Sequence, residues 1–289
     1  MRMRLKKSFK LFLILIIIAL NCLLGWFIFH RFIDYTKLVV ITNEIKENDE
    51  PIYIDHIDEF DVKNSNYIEK YYERYVAYKK KHSNYSDDVI ITYVNIGLDH
   101  NFYTNMIDTD MSDGYLIICN KYHKLKSNYV PDLVSLSGYG GGYLEKTAAK
   151  YFKEMSDAAK LEGIKVYNVS GYRSYNTQKS LYNNYVQKDG VTKADTYSAR
   201  AGTSEHQTGL ATDINSVSTS FETTETYKWL AQNAYKYGFI LRYPKGKEYI
   251  TGYMYEPWHY RYVGRDVAKV IYEKNITYEE YYATYILKG

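Results

Sequence analysis

The stretch SEHQTGLATDIN, residues 204–215, decides the fold and holds the first candidate site of the chain. From residue 210 onward its side chains alternate between an apolar and a polar face, which is the period of a β-strand. Ser204 and His206 are also two residues apart, so they share a face of the preceding segment. Gly209 lies between the two parts and allows the chain to reverse there. The stretch can therefore bring the imidazole of His206 and the carboxylate of Asp213 together across a bend.

A second stretch, YEPWHYRYVG at residues 255–264, contains a further carboxylate and imidazole, Glu256 and His259. Its proline favours strand and loop here over a helix interior. Together, His206, Asp213 and His259 supply two nitrogens and one oxygen, a set that suits tetrahedral zinc with an open fourth position. Glu256 is then a spare carboxylate, which can accept a proton from water and return it to a leaving amine.

Both stretches also carry a family resemblance. The pattern S-x-H-x-x-G-x-A-x-D at residues 204–213, followed by E-x-x-H at residues 256–259, resembles the signature of the zinc D-alanyl-D-alanine carboxypeptidases. The resemblance is closest to the VanY-like branch and runs from about residue 115 to residue 272. It implies an α+β fold, in which a small antiparallel sheet with flanking helices forms a zinc peptidase domain.

The resemblance further implies roles for individual residues. One zinc ion would be bound by His206, Asp213 and His259, with Glu256 as the general base. The family removes a terminal D-amino acid from peptidoglycan stem peptides.

A substrate-facing group is implied by the same resemblance. Arg173 matches the family's arginine, which faces the substrate and its developing oxyanion. A guanidinium can bind a carboxylate through two hydrogen bonds or stabilise a tetrahedral intermediate. Gln178 and Ser204 match positions that help to hold the terminal carboxylate.

Other hydrolase motifs do not occur in the chain. A penicillin-binding serine enzyme requires S-x-x-K together with K-T-G, and neither string is present. The helical H-E-x-x-H zinc motif is also absent from the sequence. These absences favour a metal site on a different scaffold.

The N-terminal region predicts a membrane anchor. Residues 11–29 carry no charge and are long enough to cross a bilayer as a helix. Five cations precede this run in residues 1–10, which we interpret as a cytoplasmic basic tail. We therefore expect a single-pass protein of the cell membrane, with its catalytic domain on the extracellular, cell-wall side. The alternative, a cleaved signal peptide, would need a shorter apolar core and a cleavage site of small residues, and the sequence shows neither.

The remaining chain divides into two predicted parts. Residues 30–112 are polar and tyrosine-rich, and we interpret them as an extracellular stalk with a small helical module. Residues 113–289 form the predicted zinc carboxypeptidase domain, in which residues 115–120 predict a short strand and residues 144–161 a helix. The formal net charge of +3 is concentrated in the N-terminal tail, so no basic stripe suits a nucleic-acid partner.

We expect a membrane-anchored, zinc-dependent D,D-carboxypeptidase that removes the terminal D-Ala from peptidoglycan stem peptides. Two alternatives use the same chemistry: an L,D-carboxypeptidase acting on tetrapeptide stems, and a peptidoglycan endopeptidase. A third alternative, a non-catalytic wall-binding module, is disfavoured because all four core site residues are present.

Overall fold

The computed structural model describes residues 57–287 of the chain. The predicted basic tail and the predicted membrane segment, residues 11–29, lie outside the described residues. Among the helices formed by residues 57–287, none combines the length and apolar character that crossing a membrane requires.

The described residues alternate between short strands and helices. The α-helices in chain order are α1 Tyr72–Lys81, α2 Asp87–Asn95, α3 Lys146–Leu161, α4 Tyr175–Asp189, α5 Val191–Ala194, α6 Glu225–Asn233, α7 Glu248–Thr251, α8 Arg265–Lys274 and α9 Tyr278–Tyr285. The strands are β1 Ile107–Asp108, β2 His123–Lys124, β3 Leu133–Ser135, β4 Tyr143–Glu145, β5 Asn168–Ser170, β6 Ala211–Ile214, β7 Phe239–Leu241 and β8 His259–Tyr262. Short 3₁₀ helices connect them, including Met111–Leu116, Glu205–Thr208 and Ala234–Tyr237.

The central sheet has four antiparallel strands in the order β5-β6-β8-β7. Two smaller sheets pair β1 with β2 and β3 with β4. In the central sheet Asp213 of β6 lies directly opposite His259 of β8. The predicted α+β architecture, with a small antiparallel sheet and flanking helices, is therefore confirmed, and its register joins the two candidate stretches.

Helix α3 covers one side of this sheet and closely follows its predicted range. The carboxylate of Glu145 caps it by accepting hydrogen bonds from the backbone N–H groups of the first turn. Phe152 and Met155 on its inner face are fully buried in the main hydrophobic core. The chain leaves the helix at Gly163, whose φ of +77° belongs to the left-handed region that glycine adopts without strain.

Two sequence-based expectations meet a different structure. Residues 117–119 are buried as expected for an apolar segment, but they form no strand. Instead, the guanidinium of Arg261 donates hydrogen bonds to the carbonyl oxygens of Tyr115 and Ile117. A side chain thus satisfies the backbone groups that a neighbouring strand would otherwise pair.

Residues 57–112 do not project as an isolated spacer. Helices α1 and α2 share a small core, and the other side of α2 packs towards the C-terminal part of the chain. There Tyr93 and Ile96 form one buried cluster with Ile250 and Ala283. Helix α2 therefore buries side chains on two of its faces. The limits of the predicted domains stay a prediction.

Candidate metal centre

A pocket with a volume of about 570 Å³ lies beside the central sheet. Its walls include apolar and aromatic side chains such as Leu181, Tyr185 and Trp258, a composition typical of ligand pockets. The pocket also contains every residue predicted for the site, namely Arg173, Gln178, Ser204, His206, Asp213, Glu256 and His259. The fold therefore gathers the sequence-predicted residues in one place.

Three of these residues converge on a single point. One ligand atom each from His206, Asp213 and His259 lies within 4.8 Å of the others. The Nε2 of His206 is 3.4 Å from Asp213 Oδ2, and the Nδ1 of His259 is 3.1 Å from Asp213 Oδ1. Although it is buried, Asp213 Oδ1 has no aligned hydrogen-bond donor among the described residues. Two imidazoles and a carboxylate oxygen left without a donor fit one zinc ion.

Local structure explains why these side chains meet. His206 lies in the 3₁₀ turn Glu205–Thr208, which ends at Gly209 with a φ of +69°. The reversal at this glycine leads into β6 and so to Asp213. The Nδ1 of His206 lies 2.7 Å from the carbonyl oxygen of Gly171, which leaves Nε2 directed towards the centre. Hydrogen bonding of the distal ring nitrogen is the usual way in which a protein orients a metal-binding histidine.

The electrostatics of the centre suit a cation. Burial, and then the positive charge of Arg173, lower the pKa of His206, so its Nε2 carries a free lone pair at neutral pH. Burial would also lower the pKa of His259, but the carboxylates of Asp213 and Glu205 outweigh it and raise that pKa. Burial alone would raise the pKa of Asp213, but the two imidazoles outweigh this effect and lower that pKa. A cation held at His259 Nδ1 would replace the proton there.

Glu256 lies next to these groups without belonging to the converging set. Its Oε2 is 3.6 Å from the Nδ1 of His259, and the side chain is buried. Burial, supported by the negative charge of Asp213, raises the pKa of Glu256 to about 8. A carboxyl group whose pKa lies near neutrality can both accept and donate a proton.

Arg173 reaches the same pocket and is held by neighbouring polar groups. Its Nη1 donates to Gln178 Oε1 at 2.7 Å, and its Nη2 donates to Ser170 Oγ at 3.1 Å. The Nε2 of Gln178 in turn donates to the carbonyl oxygen of Ala199 at 2.6 Å. Gln178 thus holds Arg173 through its amide oxygen, while its amide nitrogen is anchored to the backbone at Ala199. Ser204 is buried in the lining of the same pocket. That Ser204 and Gln178 help to hold a terminal carboxylate stays a prediction.

Sequence reasoning missed a buried ionic cluster behind the centre. It consists of Glu205, Arg242, Arg261 and Glu279, which are joined by hydrogen bonds of 2.5–2.9 Å. One signal was available, because Arg261 follows His259 by two residues in a strand and so shares its face. No local pattern connects Arg242 with Glu279.

These features define the class of the protein. A buried His–Asp–His set, a spare carboxyl group and a guanidinium at one open pocket are the equipment of a zinc-dependent hydrolase of the peptidase type. The family model described as VanY, D-alanyl-D-alanine carboxypeptidase, matches residues 141–265. The putative carboxypeptidase YodJ of Bacillus subtilis (strain 168) is 47% identical over 184 residues, which cover 59% of this chain and 67% of that protein. The chain therefore belongs to the VanY family of carboxypeptidases.

Solved structures agree with this assignment. The LdcB LD-carboxypeptidase is similar with a TM-score of 0.58 and 44% identity, covering 63% of this chain and 91% of that one. A vancomycin resistance D,D-pentapeptidase, VanY, in complex with Zn(II), is similar with a TM-score of 0.52 and 38% identity. The similarity covers 58% of this chain and 98% of that one. Zinc is accordingly the cofactor that the family and the converging residues indicate.

Proposed function

We propose that the chain is a membrane-anchored, zinc-dependent D,D-carboxypeptidase that removes the terminal D-Ala from peptidoglycan stem peptides. The observation that carries this proposal is the position of Arg173 in the same pocket as Glu256 and the converging His–Asp–His set. An exopeptidase must bind the free carboxylate at the end of its substrate close to the bond that it cleaves.

Arg173 is suited to bind that carboxylate. Its guanidinium has five N–H donors, of which Gln178 and Ser170 accept one each. The remaining donors are available for a carboxylate or for the oxyanion that develops at the scissile carbonyl. Burial lowers the pKa of Arg173, yet the side chain remains a cation at neutral pH. A charged donor in a buried position binds an anion more strongly than one in water.

We assign His206, Asp213 and His259 as the zinc ligands and Glu256 as the general base. When bound in such a site, zinc lowers the pKa of a water ligand towards neutrality and polarises a carbonyl group. Glu256 would accept the proton of the attacking water at Oε2 and later return it to the leaving amine. Its buried position beside His259 favours both steps, because the carboxyl group is shielded from bulk solvent.

A second candidate function is L,D-carboxypeptidase activity on tetrapeptide stems. The similarity to the LdcB LD-carboxypeptidase at 44% identity supports it. The residues that we assign to carboxylate binding and proton transfer would serve either stereochemistry. An endopeptidase of the same chemistry differs in having no need for a terminal carboxylate.

A peptide assay separates these candidates. Purified protein, with and without added zinc, is incubated with peptides ending in D-Ala-D-Ala, in L-Lys-D-Ala, and with the C-terminally amidated forms of both. We expect zinc-dependent release of the terminal D-Ala, fastest from the D-Ala-D-Ala peptide, and no cleavage of the amidated peptides. Faster cleavage of L-Lys-D-Ala would establish the L,D alternative, whereas cleavage of the amidated peptides would establish an endopeptidase.

The membrane anchor is tested separately. Residues 11–29 and the cations before them support a cytoplasmic N-terminus and an extracellular catalytic domain. A tag attached after the last residue should stay with the membrane fraction and be removed by protease added to wall-stripped intact cells. Protection of the tag until the cells are lysed would contradict this topology.

A further inference from the structure

A buried ionic cluster lies directly behind the proposed metal centre, and the chemistry described above makes no use of it. Arg242 and Arg261 are completely buried, and the carboxylates of Glu205 and Glu279 are almost as inaccessible. Arg242 contacts both carboxylates, whereas Arg261 contacts only Glu205. Burying four charges is costly unless they are paired and well placed. The cluster therefore raises the question of what the fold gains from it.

The two oxygens of Glu205 have different surroundings. Oε1 accepts hydrogen bonds from Arg242 Nε at 2.8 Å and from Arg261 Nη1 at 2.9 Å. Oε2 is buried, accepts no hydrogen bond of normal geometry from the described residues, and lies 3.7 Å from the Nε2 of His259. That nitrogen is itself buried and, within residues 57–287, has no hydrogen-bond partner either. Two polar atoms of complementary character thus face each other behind the ligand.

The two histidines of the centre are oriented in opposite ways. His206 places Nδ1 against the carbonyl oxygen of Gly171 and directs Nε2 towards Asp213. His259 directs Nδ1 towards Asp213 and places Nε2 towards Glu205. Each ring therefore offers one nitrogen to the centre and the other to the protein. For His259, the protein group in that place is Glu205.

We propose that Glu205 is a positioning residue for His259, with its Oε2 accepting the Nε2–H of the imidazole. This contact holds the ring with Nδ1 directed at the metal and fixes the tautomer that leaves Nδ1 without a proton. The two arginines bind Oε1, so the carboxylate stays buried with Oε2 directed at the ring. The inference rests on the proposed role of His259 as a zinc ligand.

The structure provides a matched pair of variants for the test. In Glu205→Gln, the arginine donors require the amide oxygen at the Oε1 position, which places the NH₂ group against the Nε2–H of His259. Two donors then face each other, and the acceptor is lost. Glu279→Gln creates a similar conflict at Arg242, because both oxygens of Glu279 accept hydrogen bonds from that guanidinium. Glu279 pairs with Arg242, whereas the carboxylate that faces His259 is that of Glu205. The Glu279→Gln variant therefore disturbs the cluster without removing the acceptor at His259, and it controls for general disruption.

Zinc affinity is measured by competition with a chromophoric chelator on the full-length protein. We expect Glu205→Gln to weaken zinc binding by about 10- to 100-fold, the usual effect of removing a partner of a metal-binding histidine. Glu279→Gln should bind zinc as the wild type does. Equal affinities in the two variants would overturn the positioning role.

A second measurement needs no variant at the cluster and tests the orientation and tautomer of the His259 ring even if both variants misfold. Long-range ¹⁵N–¹H spectra of the imidazoles in the zinc-loaded wild-type protein should show His259 protonated at Nε2 and His206 protonated at Nδ1. A His259 protonated at Nδ1 would contradict the proposal. The variant His259→Ala distinguishes a failure of the positioning role from a failure of the proposed function. If His259→Ala binds zinc as the wild type does, His259 is not a ligand and the ligand assignment itself is wrong.

Discussion

At the scale of the residue, three buried carboxyl groups of one site, those of Glu205, Asp213 and Glu256, have different neighbours. Burial disfavours ionisation of all three. The two arginines outweigh this effect at Glu205 and lower its pKa, and the two imidazoles do the same at Asp213. Glu256 has weaker cationic partners, so burial dominates and its pKa rises to about 8. These environments match the proposed roles of Glu205 in supporting His259, of Asp213 in binding the metal and of Glu256 in proton transfer.

Substitution of Glu256 by glutamine tests the last of these roles. Glu256→Gln preserves the size of the side chain and leaves the proposed ligands untouched, so we expect wild-type zinc content. Loss of general acid–base catalysis typically costs about two to four orders of magnitude in rate. Because Glu256 would serve both proton steps, we expect a loss in kcat at or beyond the upper end. A variant that retains a tenth of wild-type activity would show that another group activates the water.

Arg173→Ala is the contrasting variant at the same pocket. It should also keep its zinc, because Arg173 is not among the converging ligand atoms. It removes the cation proposed to bind the terminal carboxylate, so KM should rise as well as kcat fall. Steady-state kinetics on the D-Ala-D-Ala peptide measure both constants. An unchanged KM would restrict Arg173 to a role in the transition state.

At the scale of the element, local patterns predicted what local interactions decide. The alternation after residue 210 predicted a strand, and β6 is found at Ala211–Ile214. The local pattern T-x-x-E at residues 277–280 is that of a capping box, and such a box opens α9. The strand predicted at residues 115–120 was wrong because the partner of that backbone is the side chain of Arg261, which lies far away in sequence. The pattern of apolar residues predicts which segments are buried, but it does not predict which group forms hydrogen bonds with their backbone N–H and C=O groups.

The turn at Gly209 yields a prediction at this scale. A Cβ at this position would lie 2.9 Å from the backbone nitrogen of Glu145 and 3.0 Å from Pro131 Cγ, in addition to the positive φ. Gly209→Ala should therefore lower the free energy of unfolding by roughly 1–3 kcal/mol and reduce activity, since the turn sets His206 relative to β6. Gly163→Ala is the control, because its φ is also positive but a Cβ there meets no atom within 4 Å. Urea denaturation should show the larger loss for Gly209→Ala; equal losses would mean that the crowding is relieved elsewhere.

At the scale of the whole molecule, the site combines groups that no short stretch contains. The ligand set was predictable because His206 and Asp213 lie in one motif and His259 in another. The buried ionic cluster behind these ligands was not predictable from the sequence. In it Glu205 contacts Arg242 across 37 positions of sequence, and Arg242 contacts Glu279 across another 37. The family match ends at residue 265, so it does not include Glu279 either. Tertiary packing decides which buried charges pair, and only the folded chain shows it.

The packing of residues 57–112 carries the last prediction. Ile96, at the end of α2, is buried in the cluster that contains Ile250 and Ala283, so its contacts join the N-terminal helices to the peptidase domain. Truncation of a buried isoleucine to alanine costs about 2–5 kcal/mol. If these parts unfold as one unit, Ile96→Ala should shift the loss of helical signal and the loss of zinc by the same amount in urea. Ile107→Ala, at a side chain that is 54% exposed, should shift neither. A variant in which helical signal is lost early while zinc stays bound at the wild-type midpoint would show that residues 57–112 unfold independently, as a stalk would.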